Sequence, residues 1–123
     1  LAIDHFIATA HIMQNKIKGR LKGISAIDVK KKLDNHETPF FLDVRGADEF
    51  EETRLGIGET LIPLGALRKR IGELPQDKER EIICYCKVSL RGYEAALVLE
   101  TNGWKNVKVM EGGIMAWPYP KEK

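Results

Sequence analysis

Ile82-Ile83-Cys84-Tyr85-Cys86-Lys87-Val88-Ser89-Leu90-Arg91-Gly92-Tyr93-Glu94-Ala95-Ala96 decides the fold. Its apolar start reads as a buried strand, short and rich in β-formers. The strand ends on a cysteine, passes through a short basic loop and enters a helix-forming segment. A thiol at the C-terminal end of a strand, facing a helix N-terminus, lies where open α/β sheets bind anions. That placement favours the thiolate, the reactive form of cysteine. Cys86 is therefore the candidate nucleophile, and the chain reads as an enzyme.

The segments on either side of this stretch alternate in type. Residues 40–44 (Phe-Phe-Leu-Asp-Val), 60–62 and 107–110 read as further strands. Helices are expected from the capping-box residue Ser25 to about Asn35, over 47–53 after Gly46, over 66–74 between Pro63 and Pro75, and over 90–101 with Asn102-Gly103 as the C-cap. A short last helix is expected at 114–116, after Gly112-Gly113. Alternating strands and helices imply a mainly parallel sheet covered on both faces. Right-handed crossovers then bring all strand C-termini to one edge, so Asp43 and Cys86 share a crevice. Residues 1–18 carry apolar positions at helical spacing, and the basic, glycine-containing stretch 16–22 reads as a linker. The expected division is an N-terminal helix and linker over 1–22 and a catalytic domain over 23–123. The apolar stripe of that first helix either covers the sheet or faces a partner domain.

Composition sets the outer bounds. The chain has 123 residues, 43% hydrophobic and 31% charged, as expected of one globular domain. A formal charge of +2 is too weak and mixed to argue for nucleic acid or a membrane surface. No apolar run approaches the roughly 18 residues of a spanning helix. The N-terminus has no basic region followed by an apolar core, so no secretory signal is expected. The two cysteines, Cys84 and Cys86, are one residue apart on a strand. Such side chains lie about 7 Å apart, against the roughly 3.8 Å between Cβ atoms in a disulfide. A reducing, cytoplasmic setting is the expectation. The chain begins at Leu1 rather than Met, which suits a segment cut from something longer.

At this point the residues resemble a family, the single-domain rhodaneses or sulfurtransferases. The resemblance covers roughly residues 24–118. It rests on Leu42-Asp43-Val44-Arg45 followed by Glu49-Phe50, on Leu61-Ile62-Pro63-Leu64, on Cys86-Lys87-Val88-Ser89-Leu90-Arg91, and on Glu111-Gly112-Gly113-Ile114 with Trp117-Pro118. Each motif alone is weak; together, in this order, they are strong. The resemblance implies a rhodanese-like open, mainly parallel five-stranded sheet with helices on both faces, here with an extra N-terminal helix. It also implies transfer of a sulfane sulfur from an anionic donor (thiosulfate, a persulfide or a polysulfide) to a thiol or cyanide. Cys86 would hold the sulfur as a persulfide, with no cofactor and no metal.

The loop chemistry fits this implication independently. From Cys86 to Arg91 the backbone can wrap so that successive N–H groups point inward, a nest for anions. The following helix adds its positive end. Lys87, Val88, Ser89, Leu90 and Arg91 are thus the substrate-binding candidates. Three residues have a plainer alternative: Lys87 as an idle surface lysine, Arg91 as a solvated first-turn residue, and Cys86 itself as a small hydrophobe ending a strand. Cys84 reads as core, with a resolving thiol as the rival. Asp43, Arg45 and Glu49 read as structural residues near the site, Arg45 pairing with Glu49 to fix the turn after the strand. Gly112-Gly113 and Trp117 read as packing elements. His5, His11 and His36 do not cluster with the cysteines at metal-ligand spacing, and Lys30-Lys31-Lys32 reads as a solvated helix face.

Spacing also separates relatives. Tyrosine and dual-specificity phosphatases place five residues between cysteine and arginine; here there are four, Lys87 to Leu90. The smaller loop suits sulfur better than a phosphate ester. Two positions depart from the family pattern. Ser89 stands where many members have Gly, at a cost of about 1 kcal/mol if a left-handed backbone is needed there; its hydroxyl could instead donate to the bound sulfur. Leu55-Gly56-Ile57-Gly58-Glu59 replaces the usual His-Ile-Pro-Gly stretch, which leaves one crevice wall undefined. Two rival functions stand beside the enzyme. One is a sulfur-carrier or interaction domain of a larger redox protein, such as a flavin-dependent disulfide reductase. The other is a rhodanese fold that only binds.

Overall fold

A computed structural model describes residues 22–122. The N-terminal helix and most of the linker expected over 1–22 lie outside the described residues. The described chain runs β1 (Lys22–Ile24), α1 (Ala26–Asp34), β2 (Phe40–Asp43), α2 (Ala47–Glu52), β3 (Thr60–Leu61), β4 (Ile82–Tyr85), α3 (Leu90–Thr101) and β5 (Val107–Met110). Three 3-10 turns, Leu64–Ala66, Ile71–Glu73 and Gly113–Ala116, complete it.

The strands form one sheet in the order β1-β5-β4-β2-β3, and every pairing is parallel. The alternation of short apolar runs with helices produces this directly, because a parallel pair needs a crossover long enough to hold a helix. Side chains alternate between the two faces. Leu42, Ile82, Cys84, Val107 and Val109 pack in one buried cluster with Tyr93, Ala95, Ala96 and Leu99 of α3. Phe41, Ile83, Tyr85 and Met110 pack in another with Val29 of α1, Ile114 and Trp117. Helices on both faces thus bury a strand layer that is apolar on each side. Gly92 lets α3 approach closely: a Cβ there would press on the Val109 side chain.

Two local expectations are corrected. Residues 66–74 do not form a continuous helix but separate 3-10 turns, Leu64–Ala66 and Ile71–Glu73. Gly65 and Gly72 lower the helix propensity of this stretch, and burial of Leu67 and Leu74 against the α3 side of the sheet fixes the chain instead. β1, by contrast, falls at the end of the expected linker. Its three residues carry no periodic signal, and the strand exists because Lys22, Gly23 and Ile24 align with Lys108, Val109 and Met110 on the sheet edge.

The order of strands also locates the crevice. From β2 the chain moves outward to β3; from β4 it moves the other way to β5. Adjacent strands whose connections leave in opposite directions open a cleft at their C-terminal ends, the usual ligand position in such sheets. β2 and β4 are that pair, with Asp43 directly opposite Tyr85. Asp43 and the residue after Tyr85, Cys86, therefore sit at one switch point.

Candidate functional site

Cys86 directly follows β4 and is 1% exposed. The segment from Cys86 to Ser89 turns under the N-terminus of α3, and a second turn holds it from behind. The N–H of Ile114 donates to the Cys86 carbonyl (2.9 Å) and that of Met115 to the Lys87 carbonyl (3.1 Å). The Gly112 N–H donates to Ser89 Oγ (3.0 Å). Gly112 and Gly113 both take left-handed backbone (φ +77° and +58°), and a Cβ on Gly113 would overlap the carbonyl oxygens of Cys86 and Val88. Only glycine fits this contact. Gly112-Gly113, read from sequence as packing, is thus the clamp that turns the loop carbonyls away from the cradle.

The consequence for the amides is direct. The backbone N–H groups of residues 87–92 find no acceptor among the described residues, and the α3 ladder begins only with Tyr93 N–H to Ser89 O. Consecutive free amides at the start of a 12-residue helix form an anion cradle beside the thiol.

Arg91 is the cation of this cradle. Its Nη1 and Nη2 donate to Glu49 Oε1 (2.8 Å) and Oε2 (3.0 Å). These hydrogen bonds, and behind them the charge and hydrogen bond of Cys86, hold Arg91 firmly protonated. The same pairing, first among the causes, lowers the Glu49 carboxyl to about 2. Glu49 also accepts from the Gly46 N–H that opens α2 (3.2 Å), so it links α2 to the first turn of α3.

The expected Arg45–Glu49 ion pair is replaced by another. Arg45 Nε lies 3.0 Å from both Asp43 oxygens, and its Nη2 is 2.8 Å from Oδ2. The remaining guanidinium donors reach the carbonyls of Glu49 (3.4 Å) and Thr53 (2.8 Å). Both side chains are buried, Asp43 at 0% and Arg45 at 2% exposure. Two residues apart across the end of β2, they meet without any helical turn between them. Arg45 then ties α2 to the sheet through its carbonyls, while the Glu49 carboxylate is left for Arg91.

The remaining candidates fall into place around the loop. Lys87 and Val88 are exposed, and Leu90 is half-buried. Ser89 has φ −147°, outside the left-handed region, so the left-handed cost expected where the family often has Gly does not arise. Its Oγ serves the Gly112 clamp. Cys84 is fully buried, and burial pushes its thiol far up, away from the thiolate; it shares the α3 face with Cys86. The stretch 55–59 closes on itself: Glu59 accepts from the N–H groups of Gly56 (3.0 Å) and Ile57 (2.9 Å) and from the Tyr85 hydroxyl (3.2 Å). His36 sits in the turn after α1, and His5 and His11 lie outside the described residues. Among the described residues no cluster of His, Cys, Asp or Glu could hold a metal ion, and no helix is long and apolar enough to cross a membrane.

Sequence spacing could not reveal the Glu49–Arg91 link, which spans 42 residues, or the Gly112–Ser89 clamp, which spans 23. The only hint was that Glu49 and Gly112 lie in segments following strand ends.

Comparison with known proteins agrees with this geometry. The rhodanese-like domain model matches residues 25–118. YtwF of Bacillus subtilis is 32% identical over 102 residues, covering 79% of this chain and 90% of YtwF. A protein of Allochromatium vinosum named sulfurtransferase is 28% identical over 94 residues, 76% of this chain and 85% of its own. Among solved structures, reduced Bacillus anthracis CoADR-RHD superposes with a TM-score of 0.73 and 28% identity, over 87% of this chain but only 18% of that one. The matched span contains β2 to β5, the Cys86 loop and its clamp, and on that ground the chain belongs to the rhodanese-like domain family.

Proposed function

We propose that this rhodanese-type sulfurtransferase moves a sulfane sulfur through a persulfide on Cys86. The observation that carries the reading is the run of unpartnered amides at 87–92 around a thiol that begins the loop. In the first step the Cys86 thiolate attacks the outer sulfur of the donor. The donor S–S bond breaks, and its electron pair leaves with sulfite, if the donor is thiosulfate, or with a thiolate, if it is a persulfide. Cys86 then carries the sulfur as Cys–S–S⁻, with the charge held by the loop amides and the helix dipole. In the second step a thiolate or cyanide attacks that outer sulfur and regenerates Cys86. Cys84 takes no part, because its burial opposes the thiolate.

The cradle also supports the choice of sulfur over phosphate. Four residues separate Cys86 from Arg91, and the thiol is nearly closed off, so a single transferred atom fits where a phosphate ester would not. A second reading, a sulfur-carrying domain within a larger redox protein, is favoured by the match to 18% of the CoADR-RHD chain. The chemistry at Cys86 is the same in both.

The test is transfer itself. The protein is mixed with thiosulfate, polysulfide or an organic persulfide, and sulfur is trapped on cyanide as thiocyanate. Turnover in wild type and in Cys84→Ala, with none in Cys86→Ala, supports the reading. Equal turnover in Cys86→Ala contradicts it.

A further inference from the structure

The place of the Arg91 guanidinium is set from outside the Cys86 loop. Arg91 lies in the first turn of α3, with 37% of its side chain exposed. An arginine there is free to swing into water, and ordering it costs rotamer entropy. Its guanidinium nevertheless hydrogen-bonds Cys86, five residues back and 1% exposed. Both terminal nitrogens are taken by Glu49, Nη1 by Oε1 at 2.8 Å and Nη2 by Oε2 at 3.0 Å. A two-point contact of this kind fixes the plane of a guanidinium as well as its position. Glu49 is held in turn. Its Oε1 also accepts from the Gly46 N–H (3.2 Å). The backbone of α2 is pinned by Arg45, which reaches the carbonyls of Glu49 (3.4 Å) and Thr53 (2.8 Å) while it is bound to Asp43 at the end of β2. Contacts thus run from β2 through Arg45, α2 and Glu49 to Arg91 and the thiol that follows β4.

We propose that Glu49 is a positioning residue for Cys86: it holds the Arg91 guanidinium against the sulfur, so that negative charge there meets a fixed cation. The inference rests on Cys86 being the nucleophile. Two effects of the Glu49 carboxylate oppose each other. Its own charge weakens the field of Arg91 at the sulfur, and its hydrogen bonds keep that field in place. Position outweighs charge, because an unheld arginine at an exposed first turn samples water, where the high dielectric weakens it. A cation already in place also needs no reorganisation as the sulfur gains charge.

The test reads the charge at the sulfur with two alkylating reagents of similar size, neutral iodoacetamide and anionic iodoacetate. Rates of Cys86 labelling are measured at one pH, with the label located by peptide mass, and the ratio of the anionic to the neutral rate is compared between variants. Glu49→Asp keeps the charge but is shorter by one methylene. It is expected to lower the ratio about fivefold, the order of one partly screened charge, and Glu49→Ala is expected to lower it as well. Glu49→Gln keeps one oxygen at full reach and is expected to fall between wild type and Glu49→Asp. In an Arg91→Met background Glu49→Asp is expected to change nothing further. A ratio raised in Glu49→Ala or Glu49→Gln overturns the inference, since the carboxylate would then only offset the charge of Arg91. A ratio unchanged in Glu49→Asp, with both rates falling by one factor, assigns Glu49 to the folding of α2 and overturns it too, as does a Glu49→Asp effect that persists without Arg91. These results leave Cys86 as the nucleophile. A Cys86 inert to both reagents in wild type removes the nucleophile reading and this inference together.

Discussion

Glu49 and Arg91, 42 residues apart in the chain, meet in a two-point ion pair of 2.8 and 3.0 Å between the helix after β2 and the first turn of α3, the helix after β4. The pair crosses the switch point of the sheet. It joins the helix that Arg45 anchors to the one that follows the Cys86 loop, so the two sides of the switch point are tied by charge.

Acid tests that contact first. The Glu49 carboxyl falls from its ordinary 4.5 to about 2, chiefly through its hydrogen bonds from Arg91. A lowered carboxyl pKa stabilises the folded state fully above the unfolded value, and the contribution is lost as pH falls through the folded value. Wild type is therefore expected to lose stability between about pH 4.5 and 2. Glu49→Gln is expected to show a shallower decline over that interval in urea titrations at stepped pH. Equal slopes would remove Glu49 from the linkage.

Breaking the buried Asp43–Arg45 pair is expected to be severe. Arg45→Met leaves the Asp43 carboxylate buried without its cation, at a cost of about 3–5 kcal/mol. The double variant Asp43→Asn/Arg45→Met removes the stranded charge and should recover part of that loss. Chemical denaturation of the two variants gives the comparison, and an equal loss in both would mean the charge pairing is not the cause.

The clamp behind the loop predicts a loss of activity larger than the loss of fold. Gly113→Ala forces a Cβ onto the Cys86 and Val88 carbonyls and strains a left-handed residue by about 1–2 kcal/mol. Transfer is expected to fall by more than tenfold with the far-ultraviolet spectrum unchanged. An active Gly113→Ala enzyme would show that the loop does not need this support.

Ser89→Ala removes the acceptor for the Gly112 N–H. The expected cost is about 1 kcal/mol, with a smaller rate effect than Gly113→Ala. Ser89→Gly should give no gain in stability, because Ser89 already sits at φ −147°. A stabilised glycine variant would contradict that backbone assignment.

Much of this was legible in the sequence, for identifiable reasons. The runs at 40–44 and 82–85 have strand length and composition, and the turn from Cys86 into α3 is local, so the sheet core and the place of Cys86 at the strand end followed from neighbours along the chain. β1 escaped because its three residues are held by an edge partner 86 positions later, Lys108 for Lys22. The 3-10 turns escaped because leucine spacing over 66–74 mimics a helix that glycines and packing disallow. Arg45 was matched to Glu49 by helical spacing, whereas the nearer Asp43 took it across the strand end. Ser89 drew attention for its missing glycine, yet its backbone is not left-handed and its hydroxyl accepts from Gly112. Contacts made across folded space leave no periodic trace in sequence.

The central claim is a persulfide on Cys86, and intact mass measures it most directly. Reduced protein is exposed to a sulfane donor, freed of excess and weighed. The account predicts a gain of one sulfur atom on wild type and on Cys84→Ala, reversed by a thiol, and no gain on Cys86→Ala. Sulfur retained by Cys86→Ala, or none taken up by wild type from thiosulfate, polysulfide or an organic persulfide, would contradict it.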